Sequence, residues 1–347
     1  MITFFDAIRE ETEVGIEASR NAESPFLAVA HLEEVLRVIL HTRSSFPGLT
    51  QDSVSDLLHP LIQFNSNLVA MFQNDPVLWK NQQLAIHLLR DHQYLPTGAR
   101  RFRCAQKVNG HFKELSQSGH PLSLFQELER STAPDSKIIS VTVSEPPGKV
   151  TGPSTRRHIV LLGGLSGDDA EGVYGLSRWF ASLLQKPSIL SYFTFHLFPL
   201  LNPEQFAELD VAASNEAHSK YLNTSLPTIC TFLKNQPCKL IIALTGSASL
   251  KQTWSGSTMS SLQPILVKAL QPASTLVPTM PPADSFLQMP MPPAIPQFLD
   301  DLKGKLGNPP VIALVTPSLY SLASRMTAQM LMLRSIINNL KSAPDLI

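Results

Sequence analysis

Residues 158–176 read HIVLLGGLSGDDAEGVYGL, and this stretch decides the fold. Its first five residues are apolar enough for a central strand, and the glycine-rich segment after them predicts a tight turn. Ala170–Leu184 then carries apolar residues at helical spacing. A buried strand that turns directly into an amphipathic helix is typical of a sheet with parallel strands and helices on its faces.

The same pattern recurs on both sides of this stretch. Further strands are expected at Ile138–Val143, Tyr192–Leu201, Leu240–Leu244 and Val311–Val315. A closing helix is expected over Leu319–Leu340, with Thr316 as its N-cap and Pro317 in its first turn. Because strands alternate with helices, the sequence predicts an α/β fold with a mixed sheet flanked by helices.

The chain of 347 residues is long enough for two domains. Residues 1–95 show helical spacing of apolar residues and proline-led helix starts, which predicts an all-α helical bundle. Residues 96–136 are polar and irregular and are expected to form a connector, and residues 137–347 should form the α/β domain. Within this domain the proline-rich residues 272–296 predict a long loop, because proline removes backbone donors.

Composition narrows the classes of function. The 28 basic and 28 acidic residues cancel, so nothing predicts a nucleic-acid surface or a charged tail. No apolar stretch approaches the ~20 residues of a membrane span, and the start MITFFDAIREETEVG does not resemble a secretory signal. Cys104, Cys230 and Cys238 lack the spacing of a disulfide framework or a thiolate zinc site. We therefore expect a cytoplasmic protein that neither spans a membrane nor binds nucleic acid.

Two motifs follow strands in the second part of the chain. Ser166-Gly167-Asp168-Asp169-Ala170-Glu171-Gly172 precedes and opens the first helix, and Pro199-Leu200-Leu201-Asn202-Pro203 ends the third strand. Their order resembles that of the zinc carboxypeptidase superfamily, and most of all its succinylglutamate desuccinylase and aspartoacylase branch. In that branch the motifs read His-Gly-Asp-Glu, followed two residues later by Gly, and Pro-x-x-Asn-Pro. The resemblance covers about residues 137–341 and implies a zinc-carboxypeptidase-like α/β fold.

The family's metal and catalytic positions hold other residue types in this sequence. Ser166 and Thr245 stand in place of the histidine ligands, Asp169 in place of the glutamate ligand, and Val315 in place of the general base. A hydroxyl is a poor zinc ligand beside imidazole, and valine cannot take a proton from water. The family's arginines after Asn-Pro have no counterpart in residues 204–223. The resemblance therefore implies a vestigial site with no catalytic residue and no metal.

Asp168, Glu171 and Asn202 are the polar residues that the resemblance retains, and they are the candidates for ligand binding. The sequence favours a catalytically inactive protein that binds or scaffolds a protein or peptide partner, which the sequence does not identify. The alternative is an active amidohydrolase, deacylase or carboxypeptidase that acts on acylated amino acids or peptides. It would have a non-standard metal site and zinc as its cofactor. In a third interpretation the helical bundle and the proline-rich loop form a surface for oligomerisation or for a partner.

His158, His196 and His218 are the other histidines that could bind a metal in this region. His158 and His196 each lie in a predicted strand, and neither has a second histidine two or four residues further on that would share its face. They are therefore interpreted as hydrogen-bonded strand residues rather than as ligands. Ser166 is not expected to be a nucleophile, because the final glycine of the Gly-x-Ser-x-Gly motif is absent.

Overall fold

The computed structural model describes residues 105–130, 137–146, 156–165, 170–207, 215–247, 252–283, 285, 292–317 and 320–347, together with six positions between 13 and 34. The chain divides into two compact units. The first comprises Met1–Cys104, Ala207–Val211 and Leu319–Ala323, and the second comprises Ala105–Phe206, Ala212–Ser318 and Ser324–Ile347. The described positions between 13 and 34 are helical, but most of the predicted bundle lies outside the described residues.

The described elements follow one another as α/β units. The helices are α1 (Ala105–Ser118), α2 (Ala170–Gln185), α3 (Pro203–Ala207), α4 (Asn215–Leu233), α5 (Gln263–Ala273), α6 (Ala294–Lys305) and α7 (Leu322–Ser342). The strands are β1 (Ser123–Leu128), β2 (Ile138–Val143), β3 (Arg157–Leu162), β4 (Phe193–Phe198), β5 (Cys238–Ser247), β6 (Trp254–Ser257) and β7 (Val311–Pro317). Among the described helices, none combines the length and apolar character needed to cross a bilayer.

The seven described strands form one sheet in the order β1-β2-β4-β3-β5-β7-β6. Its four central strands, β4, β3, β5 and β7, are parallel, and the other pairs are antiparallel. In the strand order, β4 lies next to β3 in one direction, whereas β5 and then β7 follow β3 in the opposite direction. Ligand sites in such sheets lie beyond the carboxyl ends of the strands at this reversal. The predicted mixed sheet flanked by helices is confirmed.

Apolar side chains cover both faces of the sheet. On one face, α4 and α6 contribute Ile229, Phe298 and other side chains to a cluster with alternate residues of β3, β5 and β7. On the other face, Trp179 of α2 packs edge-to-face on Phe195 of β4, with ring centroids 5.0 Å apart. Each fully buried large apolar side chain stabilises the fold by about 1.5–3 kcal/mol.

The structure differs from the predicted connector at residues 96–136. This range contains α1 and β1, because Val108 and Phe112 form a buried helical face and the following strand pairs with β2. Phe112 stacks on Phe180 of α2, with ring centroids 6.3 Å apart. The polar composition of the range reflects its exposed side, since β1 is an edge strand of the described sheet.

Two strands are longer than the sequence predicted. Thr245, Gly246 and Ser247 continue β5, and they pair with Val315, Thr316 and Pro317 of β7. Thr316 and Pro317 are therefore strand residues and do not cap the last helix, which begins at Leu322. The ladder continues because strand pairing satisfies these backbone groups.

The proline-rich residues 272–296 are mostly irregular where they are described. Their first residues end α5 and their last open α6. Between these helices, isolated bridges join Thr279 to Thr253 and Ala283 to Gly256. The described part of the predicted loop therefore lies along the sheet at β6.

Candidate functional site

The carboxyl ends of β5 and β7 hold two of the predicted vestigial positions. Thr245 and Val315 are direct partners in the parallel ladder, and both are fully buried. Ser166, Asp168 and Asp169 lie outside the described residues. The fold therefore brings two of the predicted positions together, and the assignment of the others stays a prediction.

Thr245 and Val315 lie at the α4 and α6 side of the sheet. Val315 belongs to the apolar cluster there, and Thr245 follows Ala243 of the same cluster by two strand positions. The Thr245 hydroxyl is buried, and it has no hydrogen-bond partner among the described residues. A zinc ion binds imidazole, thiolate or carboxylate groups, so this hydroxyl and this isopropyl group do not suit it.

A buried ion pair occupies the opposite side of the same strand ends. Oε2 of Glu171, from the first turn of α2, lies 2.5 Å from Nη1 of Arg325 in α7. Both side chains are 0% exposed, and Oε1 of Glu171 lies 3.5 Å from Oγ1 of Thr316. Buried charges are paired because an unpaired charge in an apolar interior is strongly unfavourable. The carboxylate predicted to bind a ligand is therefore engaged inside the protein.

Gly246 makes the position of this carboxylate possible. A Cβ atom at residue 246 would overlap the Glu171 carboxylate, with Cδ of Glu171 only 2.5 Å away. The backbone of β5 and the head of α2 therefore approach each other more closely than any side chain at residue 246 would allow. The motif Thr245-Gly246-Ser247 serves this close contact.

Gln329 extends the contacts of α7 to both strands. Its Nε2 donates to the carbonyl oxygen of Thr245 at 2.9 Å and to Oγ1 of Thr316 at 3.1 Å. One turn earlier in the same helix is Arg325, so the two polar side chains share a face of α7. We refer to Glu171, Arg325, Gln329, Thr316 and Gly246 as the strand-end network. It lies at the carboxyl ends of β5 and β7, beside the point where the strand order reverses direction.

Asn202, the third predicted ligand-binding residue, is fully buried and caps α3. Its Oδ1 accepts a hydrogen bond from the backbone N–H of Gln205 at 3.2 Å, and its Nδ2 donates to Oε1 of Gln205. Its own backbone N–H donates to the carbonyl of Gly164 at 2.9 Å. The Leu-Asn-Pro motif thus joins the turn after β4 to the turn after β3.

Arg130 is a buried arginine that the sequence analysis missed. It forms two hydrogen bonds to the carboxylate of Glu204, at 2.8 and 3.1 Å, and one to the carbonyl of Leu201 at 3.3 Å. The fold therefore places an arginine beside the Asn-Pro turn from a different part of the chain. Residue 130 lay in the predicted connector, so its sequence position gave no signal.

His158 and His196 form a stacked pair. Nδ1 of His158 lies 3.0 Å from Nε2 of His196, and the ring centroids are 5.2 Å apart. Burial, with the nearby His158, lowers the pKa of His196 to about 4, and burial also lowers the pKa of His158. This confirms the interpretation as hydrogen-bonded strand residues, but the partner lies on the neighbouring strand. In the described ranges, no three His, Cys, Asp or Glu side chains are grouped to hold a metal ion.

Comparisons with known proteins identify the fold. No protein-family model and no curated protein matches the chain. Among solved structures, it is similar to a metallo-carboxypeptidase from Pseudomonas aeruginosa in complex with (2-guanidinoethylmercapto)succinic acid. The identity is 10%, the match covers 67% of this chain and 68% of that chain, and the TM-score is 0.50.

A metallo-carboxypeptidase from Burkholderia cenocepacia matches at 12% identity over 69% of each chain, with a TM-score of 0.49. Bovine thrombin-activatable fibrinolysis inhibitor in complex with tick carboxypeptidase inhibitor matches at 8% identity. This match covers 70% of this chain and 98% of that chain, with a TM-score of 0.48. At such identities the likeness concerns the fold alone. The described α/β unit has the zinc-carboxypeptidase-like fold that the sequence predicted.

Proposed function

We propose that this chain uses a zinc-carboxypeptidase-like fold without its catalysis, as a module that binds or scaffolds a protein or peptide partner. The observation that carries the proposal is the strand-end network. Glu171 supplies a carboxylate at the carboxyl ends of β5 and β7, but this carboxylate is paired with Arg325 in the core. A carboxylate held in this way is not available to bind a metal ion or to take a proton from water.

The energetics support this assignment. Freeing the Glu171 carboxylate would break its ion pair with Arg325, whose side chain is fully buried. Breaking a buried ion pair in this way costs about 3–5 kcal/mol. Thr245 and Val315 offer no substitute, since neither side chain carries a group that ionises near neutral pH. We therefore keep Ser166, Asp169, Thr245 and Val315 as vestigial positions.

The proposed binding region is the surface beyond the carboxyl ends of the parallel strands, where open α/β sheets take their ligands. Asp168 is its main polar candidate, because Glu171 and Asn202 are both engaged internally. The motifs Ser166–Gly172 and Pro199–Pro203 support descent from the succinylglutamate desuccinylase and aspartoacylase branch. Cys230 and Cys238 are free thiols, which supports a reducing, cytoplasmic location.

A turnover assay tests the proposal. The full-length chain, supplied with zinc, would be incubated with N-acetyl and N-succinyl amino acids and with a short peptide. The matched control is the double variant Glu171→Gln/Arg325→Met, which removes both charges of the ion pair. We expect no turnover above background by either protein. Turnover that a chelator abolishes and that the double variant lacks would contradict the proposal.

A further inference from the structure

A cavity of about 350 Å³ lies at the other end of β5, beside the carboxyl-terminal ends of α4 and α6. Its volume is within the range of small-molecule sites, which is roughly 300–1,000 Å³. The strand-end network lies at the opposite end of the same strand, so the cavity is separate from the site described above. Its lining combines an apolar wall with two basic side chains.

The apolar wall consists of Leu233, Leu306 and Cys230, and the polar side chains of Thr231 and Gln236 complete the lining beside the two lysines. Leu233 belongs to the buried cluster beneath α4 and α6, and the other two side chains pack against that cluster. Burial raises the pKa of the Cys230 thiol, so this side chain is neutral at physiological pH. Leu306 and Cys230 are partly exposed and can contact an apolar group that leaves water, whereas Leu233 is buried.

The two basic side chains are those of Lys234 and Lys305, and both are exposed. Lys234 follows the last residue of α4, and Lys305 is the last residue of α6. In the part of the chain that the structure describes, neither forms an ion pair with a carboxylate. Two ammonium groups thus face one cavity from two different helix ends.

Lysines also occur near helix carboxyl termini because a cation there interacts favourably with the helix dipole. Lys303 lies in the same last turn of α6 as Lys305, but it does not line the cavity. This difference provides a control within one turn of one helix. A dipole effect alone predicts similar behaviour for Lys303 and Lys305, whereas ligand binding involves Lys305 only.

We propose that this cavity binds a small amphipathic carboxylate. The carboxylate lies between Lys234 and Lys305, whose ammonium groups donate charge-assisted hydrogen bonds to its two oxygens. The short acyl chain lies against Leu306 and Cys230, which are only partly buried. Two cations beside an apolar wall match a single carboxylate better than a polyphosphate, which needs more positive charge and no apolar surface.

The experiment is isothermal titration calorimetry of the full-length chain with octanoate, 1-octanol and octylamine. These probes share a chain length and differ in the charge of the head group. Octanoate should bind most tightly, and added salt should weaken its binding because the ammonium groups are exposed. Lys234→Ala and Lys305→Ala should each weaken octanoate binding about threefold, as expected for exposed ion pairs. Lys303→Ala should leave it unchanged.

Several results would overturn the inference. These are the absence of saturable octanoate binding, equal affinity for octanoate and 1-octanol, or equal losses in the Lys303→Ala and Lys305→Ala variants. A second measurement locates the ligand. Bound octanoate should slow alkylation of Cys230 by iodoacetamide, and 1-octanol at the same concentration should slow it less because it lacks the carboxylate. Binding without protection of Cys230 would place octanoate elsewhere and refute the site.

Discussion

Removal of either charge of the Glu171–Arg325 ion pair should strongly destabilise the protein. Both side chains are 0% exposed and their nearest charged atoms are 2.5 Å apart. At a charge separation of ~4 Å and an effective dielectric constant of ~20, the attraction is about 4 kcal/mol. We therefore expect Glu171→Gln and Arg325→Met each to lower the free energy of unfolding by about 3–5 kcal/mol.

The double variant should be more stable than the sum of the two single losses implies. With both charges removed, neither member of this ion pair is left as a buried charge without the other, and such replacements are often close to neutral. Gly246→Ala provides an independent check, because its methyl group would displace the Glu171 carboxylate. In a Glu171→Ala background that carboxylate is absent, so the same substitution should cost less than about 1 kcal/mol.

Urea unfolding is a suitable assay for these variants. Trp179 and Trp254 are both buried in the second unit, so their fluorescence reports on its core. Replacing Trp79, which lies outside the described residues, by Phe in every variant removes the third tryptophan signal. Unfolding midpoints at an unchanged m-value then measure stability. Single losses below about 1 kcal/mol, or strictly additive single losses, would refute the reasoning.

Two further predictions concern buried titratable groups. His196 has a pKa of about 4 in the folded chain and roughly 6.5 when unfolded, so falling pH favours protonation of the unfolded state. As pH falls from 6.5 to 4, this histidine should lower the free energy of unfolding by about 1.4 kcal/mol per pH unit. Urea unfolding at several pH values in that range should show that the free energy of unfolding depends less steeply on pH in His196→Gln than in the unsubstituted protein. An identical pH dependence would contradict this prediction. Burial raises the pKa of Cys238 to about 12, so peptide mapping after iodoacetamide treatment at pH 8 should find it modified only upon unfolding. Rapid modification of Cys238 in the native protein would be the contrary result.

The central fold was predictable because its signals are local. The strand Arg157–Leu162 and the helix Ala170–Gln185 lie close together in the sequence, and the apolar periods identify both elements. β1 and β6 were missed because they are edge strands, one with exposed polar residues and one only four residues long. The extension of β5 to Ser247 was missed because Gly246 and Ser247 are residue types more typical of turns.

The contacts of the candidate site were less predictable because they join distant parts of the chain. Arg325 lies 154 residues after Glu171, and His158 lies 38 residues before His196. Only the strand order brings each pair together. In the sequence of α7, Arg325 and Gln329 stand four residues apart, next to Met326 and Met330. The spacing places both side chains on one face of the helix, but it does not by itself show that this face is buried.

The zinc content of the purified full-length chain tests the central claim most directly. After dialysis against zinc and removal of free metal, mass spectrometry would give the amount of zinc per chain, with Glu171→Gln/Arg325→Met as the matched variant. The account predicts no stoichiometric zinc in either protein, because the described residues at the strand ends offer a hydroxyl, an isopropyl group and a paired carboxylate. One tightly bound zinc per chain would contradict it, since a metal site would then exist among residues that we regard as vestigial.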